Sequence, residues 1–373
     1  MTLLSNNDDV QRVLTMKMTM DALEDAYQQQ ARADATCRPR IDIRIPTGEG
    51  SRMYQWGTME GGSAVSGYFA IRMKSDVIYE QEYNGVRTQE KFCLRPGLFC
   101  GLILLNDVRT GEPLAIINDG HLQHMRVGAD SGIGVKYMAR EAAEVVGMLG
   151  SGGMARSHIP AFLEARPTIR RVQVYSPTRA NREAYAAEIS EQYGLEVVPM
   201  DNPEDVFRGA DILAGCTDSA VPLPMGEWLE PGTHITSVGG RPDDTAYQRL
   251  DVYLRLGTAP TPMGLPEWSV ADETVAYVAQ PDNPIWADHR MSRGRSDPKA
   301  RWAGMTGRLL SFEDLLTGQA PGRESDEQIT FSERGNIQGA QFWAVAGAVY
   351  EAARAQGLGH ELPTEWFLQD IRD

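Results

Sequence analysis

The chain has 373 residues and a formal net charge of −15, with 42% hydrophobic and 23% charged residues. This balance is typical of a globular protein large enough for two domains. The acidic excess argues against nucleic acid and anionic membranes as partners, because both bind basic surfaces. No apolar run approaches the roughly 20 residues of a membrane span, and the opening MTLLSNNDDVQRVL lacks the regions of a signal peptide. We therefore expect a cytoplasmic protein.

The cysteines and histidines do not form a recognisable metal-binding pattern. No two cysteines form a C-x-x-C pair, so we expect reduced thiols. His121 and His124 are close in sequence but have no cysteine or carboxylate at zinc-like spacing. We expect no metal site. The four cysteines are Cys37, Cys93, Cys100 and Cys216.

The first part of the chain, to about residue 140, mixes predicted helices and strands. MTMDALEDAYQQQARA has apolar residues at helical spacing, and SAVSGYFAIRMKSDVIYE is rich in strand-forming residues. GLFCGLILLNDVRTGEPLAIIND predicts a β-hairpin that turns between Asp107 and Gly111. SGIGVKYMARE predicts a helix that leads into the next part of the chain.

From Glu144 onward, short strands and helices alternate. EVVGMLG is a nearly continuous apolar run, as expected of a strand that is buried on both faces. Pro160 should bend or shorten the helix that follows. The alternation predicts a parallel α/β sheet. The later predicted elements are the strands RRVQVYS, LEVVPM, DILAGCT and THITSVGG and the helices TRANREAYAAEISEQYG and NPEDVFRGA.

The segment 257–299 interrupts this alternation. It is rich in proline and carries tryptophans, so we expect an ordered loop or lid inserted at about 258–300 rather than disorder. After it, QGAQFWAVAGAVYEAARAQGLG predicts a helix that ends at a glycine.

A glycine-rich turn separates the buried strand from the next helix. VVGMLGSGGMARS contains the pattern G-x-G-x-x-A, in which glycines let the backbone approach a pyrophosphate at a helix N-terminus. A glycine-rich corner without a ligand is the alternative, but the strand–turn–helix–strand context favours a dinucleotide. The predicted contacts are Gly150, Ser151, Gly152, Gly153, Met154 and Ala155.

The end of the next strand indicates which dinucleotide binds. An acidic residue there would bind the ribose 2′-hydroxyl of NAD, but this chain has Ser176, Thr178 and Arg179, with Arg182 nearby. Hydroxyl and guanidinium groups suit a 2′-phosphate, which favours NADP(H) and leaves NAD(H) possible. The alternative is that Arg179 and Arg182 are ordinary solvated residues at a helix start.

Further candidates lie at strand ends and among the basic residues. Cys216, Thr217 and the segment 238–241 follow strands whose carboxyl ends should line a crevice. Arg72 and Lys74 share one face of a strand, and Arg126 follows the hairpin. Three such cations suit a carboxylate ligand, although spacing alone does not separate this role from exposed surface positions.

Several of these motifs together resemble the ornithine cyclodeaminase/μ-crystallin family. They are the nucleotide turn and the segments TGEPLAIINDGHLQHMRVGADSGIGVKYMAR, WLEPGTHITSVGG and GNIQGAQFWAVAGAVYEAARAQGLG. The resemblance implies an α/β fold with a Rossmann doubly wound parallel sheet at 141–324. It also implies an α+β substrate and dimerisation domain built from 1–140 and 325–373, a homodimer, a nicotinamide cofactor and a small amino or imino acid substrate.

The resemblance also assigns site residues. The family's substrate-binding arginine falls on Arg126, its lysine on Arg72 with Lys74 as the other candidate, and a further arginine near Arg40. Contacts to the nicotinamide half of the cofactor fall around Cys216, Thr217, Val238 and Gly239. Arg72, Lys74 and Arg126 are thus the catalytic candidates, and Lys74 or a water would supply the proton.

Two departures bear on the reaction. Where cyclodeaminases have an aspartate after the VGG motif, this chain has Arg241, a candidate ligand for a second carboxylate of the substrate. Arg72 stands where the family has its substrate-binding lysine. We therefore predict an NAD(P)H-dependent oxidoreductase acting on a C–N bond. The alternatives are an ammonia-releasing cyclodeaminase that recycles its NAD and a non-catalytic nucleotide-dependent binding protein.

Overall fold

A computed structural model describes residues 1–83, 86–217, 223–239, 242–263, 274–285 and 304–371. Within these ranges, short 3-10 helices lie at Pro203–Val206, Gly226–Trp228 and Thr364–Phe367. The α-helices of these ranges are α1 (Asn7–Val13), α2 (Met16–Ala31), α3 (Gly120–Met138), α4 (Gly153–Ala165), α5 (Arg179–Tyr193), α6 (Asp244–Arg249), α7 (Phe312–Thr317) and α8 (Gln338–Gln356).

The strands belong to two sheets. They are β1 (Thr2–Ser5), β2 (Ala35–Cys37), β3 (Arg40–Pro46), β4 (Met53–Ser63), β5 (Tyr68–Tyr83), β6 (Val86–Phe92), β7 (Cys100–Asp107), β8 (Pro113–Asn118), β9 (Val145–Leu149), β10 (Arg171–Tyr175), β11 (Glu196–Pro199), β12 (Ile212–Cys216), β13 (His234–Gly239), β14 (Val252–Arg255), β15 (Thr274–Val278), β16 (Arg308–Ser311), β17 (Thr330–Glu333) and β18 (His360–Leu362).

The chain forms two compact units. The first unit comprises the described residues within Met1–Gln123, Gly257–Pro298 and Gly335–Asp373, and the second those within His124–Leu256 and Lys299–Arg334. The boundary after Gln123 lies inside α3, earlier than the expected boundary at 140. In the described part of the chain, no helix is both long and apolar enough to cross a membrane.

The second unit is built on an eight-stranded sheet in the order β11-β10-β9-β12-β13-β17-β14-β16. Every pairing in it is parallel. Buried residues form an apolar cluster on each face; Val146 and Met148 of β9 belong to one and Leu149 to the other. This arrangement confirms the predicted Rossmann sheet, with β9 and β12 as the central strands where the order reverses.

The first unit contains a mixed sheet in the order β15-β3-β4-β5-β7-β8-β1-β18, with β2 paired to β4 and β6 to β5. Most pairings are antiparallel. Helix α8 packs against α2 and β4, and a Cβ at Gly339 would stand 2.0 Å from the Glu60 carbonyl oxygen. Only glycine allows the start of α8 to approach the sheet this closely.

Four local features differ from the sequence-based expectation. The proline-rich insertion contributes β15, which pairs in parallel with β3 in the first unit, so its described part is not only a loop. Helix α4 continues through Pro160, and the segment NPEDV forms a 3-10 helix. Helix α1 was not predicted, although Asn6 and Asp9 form a capping box at its start.

Candidate active site

The turn after β9 requires glycine at Gly150. This residue has φ of +112°, and a Cβ there would stand 2.1 Å from the Cys216 carbonyl oxygen. Its amide donates a 2.8 Å hydrogen bond to the Tyr175 carbonyl oxygen. The turn is therefore fixed to β10 and β12, and any side chain would displace the backbone.

The turn leads directly into the start of α4. Gly152 is the N-cap residue and has no side chain to cap the helix, and a Cβ built on it meets nothing within 4 Å. Ser151 precedes this cap, Gly153 and Met154 begin the first turn, and Ala155 is fully buried against the sheet. An uncapped helix start with open space beside it is the geometry that binds phosphate, so the residues present fit a dinucleotide pyrophosphate.

The carboxyl ends of β12 and β13 lie side by side. Cys216 pairs with Gly239 after a register shift, and a Cβ at Gly239 would stand 2.1 Å from the Thr217 carbonyl oxygen. The Ser237 hydroxyl donates to the Gly239 carbonyl oxygen at 2.8 Å, and Val238 is half-buried. The structure thus brings these predicted residues to one edge of the sheet, next to the Gly150 turn.

The residues predicted to bind the ribose have distinct environments. Ser176 is buried, accepts a 3.0 Å hydrogen bond from the Ser151 hydroxyl and donates to the Thr178 carbonyl oxygen. Arg182 is also buried and donates to the Ser176 carbonyl oxygen, so its role here is structural. Arg179, at the start of α5, is mostly exposed and paired with Glu183 at 2.7 Å.

Arg126 lies on α3, buried within the second unit. Two residues earlier, His124 approaches the nucleotide turn, because a Cβ at Gly153 would stand 2.9 Å from its Nε2. Farther along α3, a Cβ at Gly128 would stand 2.1 Å from the Ser157 carbonyl oxygen of α4. The helix that carries Arg126 therefore packs directly on the helix that follows the turn. The closeness of His124 was not predicted from the sequence.

A buried polar chain joins α3, α4 and β13. The His158 Nδ1–H donates to the Met154 carbonyl oxygen at 2.6 Å, so Nε2 accepts from the Ser131 hydroxyl at 3.0 Å. Ser131 in turn accepts from Thr236 at 3.0 Å. Complete burial lowers the pKa of His158 to about 4, so the ring is neutral at pH 7. His158 is structural.

The first unit presents a row of charged side chains on one face of its sheet. The register places Asp42 opposite Gly57, Gly57 opposite Lys74, and Lys74 opposite Gly101. Residues two positions away along each strand share this face. We call it the charged face; it consists of Arg40, Asp42, Arg44, Arg72, Lys74, Asp76 and Asp119.

Each predicted cation of the charged face is paired with a carboxylate. Arg40 binds Asp42 with two hydrogen bonds of 2.7 and 2.9 Å. Lys74 Nζ lies 3.0 Å from Asp76 Oδ2. The sequence analysis missed these aspartates, although each lies two residues after its cation on the same strand and therefore on the same face.

Arg72 is the most enclosed of these cations. It donates to Asp119 Oδ2 at 2.5 Å, and its guanidinium lies 5.5 Å from the centre of the Phe342 ring. Both ionic partners are buried. The hydrogen bond to Asp119 and the contact with the Phe342 ring together orient the guanidinium.

Lys74 is the residue of the charged face whose lowered pKa suits proton transfer. Burial, then the nearby Arg40 charge, lowers its pKa to about 7, while Asp76 acts in the opposite direction. Gly57 makes room for it, since a Cβ there would stand 2.9 Å from Lys74 Cε. An amine that exchanges its proton near neutral pH suits general acid–base catalysis.

Arg241, the other predicted substrate-binding residue, lies outside the described residues.

The fold and these features define a Rossmann-type protein with a second, mixed α/β unit. The sequence model of the ornithine cyclodeaminase/mu-crystallin family matches residues 83–357, most of the chain. The chain belongs to this family, which confirms the resemblance drawn from its motifs.

Relatives of known name cover most of the chain. A delta(1)-pyrroline-2-carboxylate reductase of Bacillus cereus is 26% identical over 264 residues, which are 70% of this chain and 74% of that protein. An alanine dehydrogenase of Archaeoglobus fulgidus is 25% identical over 361 residues, 97% of this chain and 98% of that one. The structure of Thermococcus litoralis delta(1)-pyrroline-2-carboxylate reductase with NADH and L-proline has a TM-score of 0.70 at 22% identity, covering 97% and 100% of the two chains.

Proposed function

We propose that this protein is an NAD(P)H-dependent oxidoreductase that acts on the C–N bond of a small amino or imino acid. The observation that carries the proposal is the turn at Gly150, where backbone contacts with Cys216 leave room for no side chain. Two relatives that cover 70% and 97% of the chain bear the names of imino and amino acid oxidoreductases. A bound nicotinamide would supply the hydride for the C=N carbon or accept it in the reverse direction.

The second unit is proposed to hold the cofactor. The amides at the start of α4, from Gly152 to Ala155, would bind the pyrophosphate, with Ser151 beside it. Cys216, Thr217, Val238 and Gly239 would contact the nicotinamide half at the ends of β12 and β13. We propose that Ser176, Thr178 and Arg179 receive the adenosine ribose and favour NADP(H), because exposed Arg179 offers a cation to a 2′-phosphate.

The first unit is proposed to hold the substrate through its charged face. The four cations of this cluster, Arg40, Arg44, Arg72 and Lys74, outnumber its three aspartates, so the cluster attracts a carboxylate although the whole chain is acidic. Asp119 orients Arg72 and Asp76 orients Lys74. Arg126 of the second unit is proposed as a further carboxylate ligand. Holding the substrate in one orientation supplies part of the rate acceleration.

Lys74 is proposed to donate the proton to the substrate nitrogen during reduction. With a pKa of about 7, its ammonium is present at neutral pH and releases its proton readily. The buried Nζ lies beside Asp76, which holds the amine in place and stabilises the charged form before transfer. In the direction of oxidation, neutral Lys74 accepts the same proton.

The proposal is tested by following NADPH and NADH absorbance with a panel of cyclic imino acids, and with keto acids plus ammonia or methylamine. Oxidation of the reduced cofactor that depends on one of these substrates supports it. Ammonia release from a diamino acid without net change in the cofactor would instead identify a cyclodeaminase. Cofactor binding without turnover of any substrate would identify a binding protein.

The carboxylate assignment has a separate test in Arg126→Ala. We expect this variant to bind NADPH normally, by fluorescence titration, and to lose turnover of imino acids. Near-normal turnover would show that Arg126 is not a substrate ligand. We also propose a homodimer, which light scattering would detect at twice the mass of the 41.2 kDa chain.

A further inference from the structure

Two cysteines stand at the two ends of one short loop. Strands β6 and β7 both run antiparallel to β5, one after the other along the same edge. Phe92, the last residue of β6, pairs with Val77, and Cys100, the first residue of β7, pairs with Ser75. Residues two apart on a strand are separated by only about 7 Å. The chain therefore leaves the sheet at residue 93 and returns close to its point of departure.

Backbone hydrogen bonds hold the base of this loop. The Cys93 amide donates to the Leu98 carbonyl oxygen at 2.8 Å, and the Arg95 amide donates to the Cys93 carbonyl oxygen at 2.8 Å. Leu94 and Gly97 have φ of +67° and +87°, which turn the chain back on itself. The loop is thus a defined structure that brings its two ends together.

The two thiols meet across this base. The Cys93 and Cys100 side chains are within hydrogen-bonding reach of each other, and both are free and partly exposed. Cys37, in contrast, is buried and accepts a hydrogen bond from Gln30. Two adjoining, partly exposed thiols are able to react with each other and with a solution oxidant, whereas buried Cys37 does not have this access.

We propose that Cys93 and Cys100 form a reversible disulfide when the protein meets a peroxide. The Cys93 thiolate attacks one peroxide oxygen, the O–O bond breaks, and hydroxide leaves as water after protonation. The Cys100 sulfur then attacks the resulting sulfenic acid, the S–S bond forms, the S–O bond breaks and a second water leaves. Both thiol protons end in water, and a dithiol reductant reverses the reaction by exchange.

The order of the two steps follows from the surroundings of Cys100. Burial, then the neighbouring Cys93 thiol and the carboxylates of Asp119 and Asp76, raises the pKa of Cys100. A raised pKa disfavours the thiolate form of Cys100, so we assign the first attack to Cys93. Cys100 acts as the second thiol, which closes the bond.

The disulfide would close a loop that borders the charged face. Cys100 immediately precedes Gly101, which pairs with Lys74 and leaves the space that Asp119 occupies. The modification site is independent of the proposed reaction, because its formation is read from the thiols alone. It lies, however, close to the groups that we propose for substrate binding, because Cys100 pairs with Ser75, the residue next to Lys74.

The test uses the full-length, reduced protein treated with hydrogen peroxide, then alkylated and peptide-mapped by mass spectrometry. We expect loss of two of the four thiols and a cross-linked 93–100 pair that lacks two hydrogens, while Cys37 remains reduced. Dithiothreitol should restore both thiols. This experiment uses only the wild-type protein, so its outcome does not depend on whether a substituted variant folds.

Cys93→Ser and Cys100→Ser serve as matched variants. Cys100→Ser should accumulate sulfenic acid at Cys93, detectable with a dimedone probe, and Cys93→Ser should leave Cys100 as a thiol at the same peroxide dose. Over-oxidation of Cys93 without the cross-link in the wild type, or a disulfide that joins two chains, would overturn the proposal.

Discussion

Arg72 and Asp119 form a buried ion pair that depends on the absence of a side chain at Gly101. A Cβ at Gly101 would stand 1.9 Å from Asp119 Oδ1, and the Asp119 amide donates to the Gly101 carbonyl oxygen at 3.2 Å. Glycine on β7 therefore creates the space from which the aspartate reaches the arginine on β5. The orientation of Arg72, which we propose binds the substrate, thus depends on Gly101, a residue without a side chain.

This relationship predicts that Gly101→Ala and Asp119→Asn act on the same interaction. Asp119→Asn leaves Arg72 buried without its charge partner, and we expect a loss of about 3 kcal/mol in the free energy of unfolding. Gly101→Ala should destabilise by displacing the same carboxylate. In a double-mutant cycle by urea denaturation, the effects should not add. Strict additivity would show that Gly101 and Asp119 are independent.

Gly150→Ala and Gly152→Ala should separate folding from cofactor binding. At Gly150 the new methyl group would meet the Cys216 carbonyl oxygen at a positive φ, so we expect a clear fall in melting temperature. At Gly152 the added methyl group meets open space at φ of −86°, and the melting temperature should not change. The methyl group would project beside the proposed pyrophosphate site, so the Kd for NAD(P)H should rise. Normal cofactor affinity in Gly152→Ala would contradict the assignment.

Lys74 predicts the alkaline limb of the pH profile. Since only the protonated amine donates a proton and its pKa is about 7, kcat/KM for reduction should fall tenfold per pH unit above that value. Lys74→Arg keeps the charge but stays protonated, so this limb should disappear and the remaining rate should be low. The wild type and Lys74→Arg are assayed with the same substrate, so ionisation of the imine affects both pH profiles equally. An unchanged limb in Lys74→Arg would remove Lys74 from the proton-transfer role.

Buried His158 predicts a loss of stability in acid. Its pKa is about 4 in the folded protein and 6.5 ordinarily, so between these values the unfolded chain binds a proton that the native protein does not. The free energy of unfolding should therefore fall as pH decreases from about 6.5 to 4, by up to about 3 kcal/mol. His234, also buried with a lowered pKa, acts in the same direction. The free energy of unfolding, measured by chemical denaturation across this pH range, should depend less steeply on pH in His158→Gln than in the wild type. An equal dependence would show that His158 does not contribute to the loss of stability.

The proposed preference for NADP(H) rests on Arg179, and Glu183 provides the matched test. Arg179→Ala should raise KM for NADPH about tenfold and leave KM for NADH nearly unchanged, because only NADPH carries the 2′-phosphate. Glu183→Gln removes the carboxylate that pairs with this arginine and should strengthen NADPH binding. Equal effects of Arg179→Ala on both cofactors would contradict the preference.

The second unit was largely predictable because its signals are local. The apolar run of β9, the glycines of the turn and the helix after it are consecutive in the chain, and each has its own pattern. Helix α5 ends at Gly194, which has the left-handed conformation that glycine favours. The adjoining ends of β12 and β13 followed from the parallel sheet itself.

The charged face could not be derived in this way, because it depends on the register between strands. Arg72, Lys74 and Asp76 lie two apart on one strand and share a face, but the pairing of Arg72 with Asp119 and the space left by Gly57 and Gly101 were not visible in the sequence. The contact between Cys93 and Cys100 likewise requires β6 and β7 to share one edge of β5. Sequence spacing does not specify which strands become neighbours across a long connection.

The most direct test of the proposed reaction is to follow the hydride itself. The protein is incubated with nicotinamide cofactor carrying deuterium at C4 in the transferred position, together with a cyclic imino acid that supports turnover, and the product is analysed by mass spectrometry. We expect a single deuterium on the α-carbon of the amino acid product, with one oxidised cofactor formed per product. The proposed function would be contradicted if the product carried no deuterium with cofactor labelled on either face of C4, or if the cofactor were never oxidised.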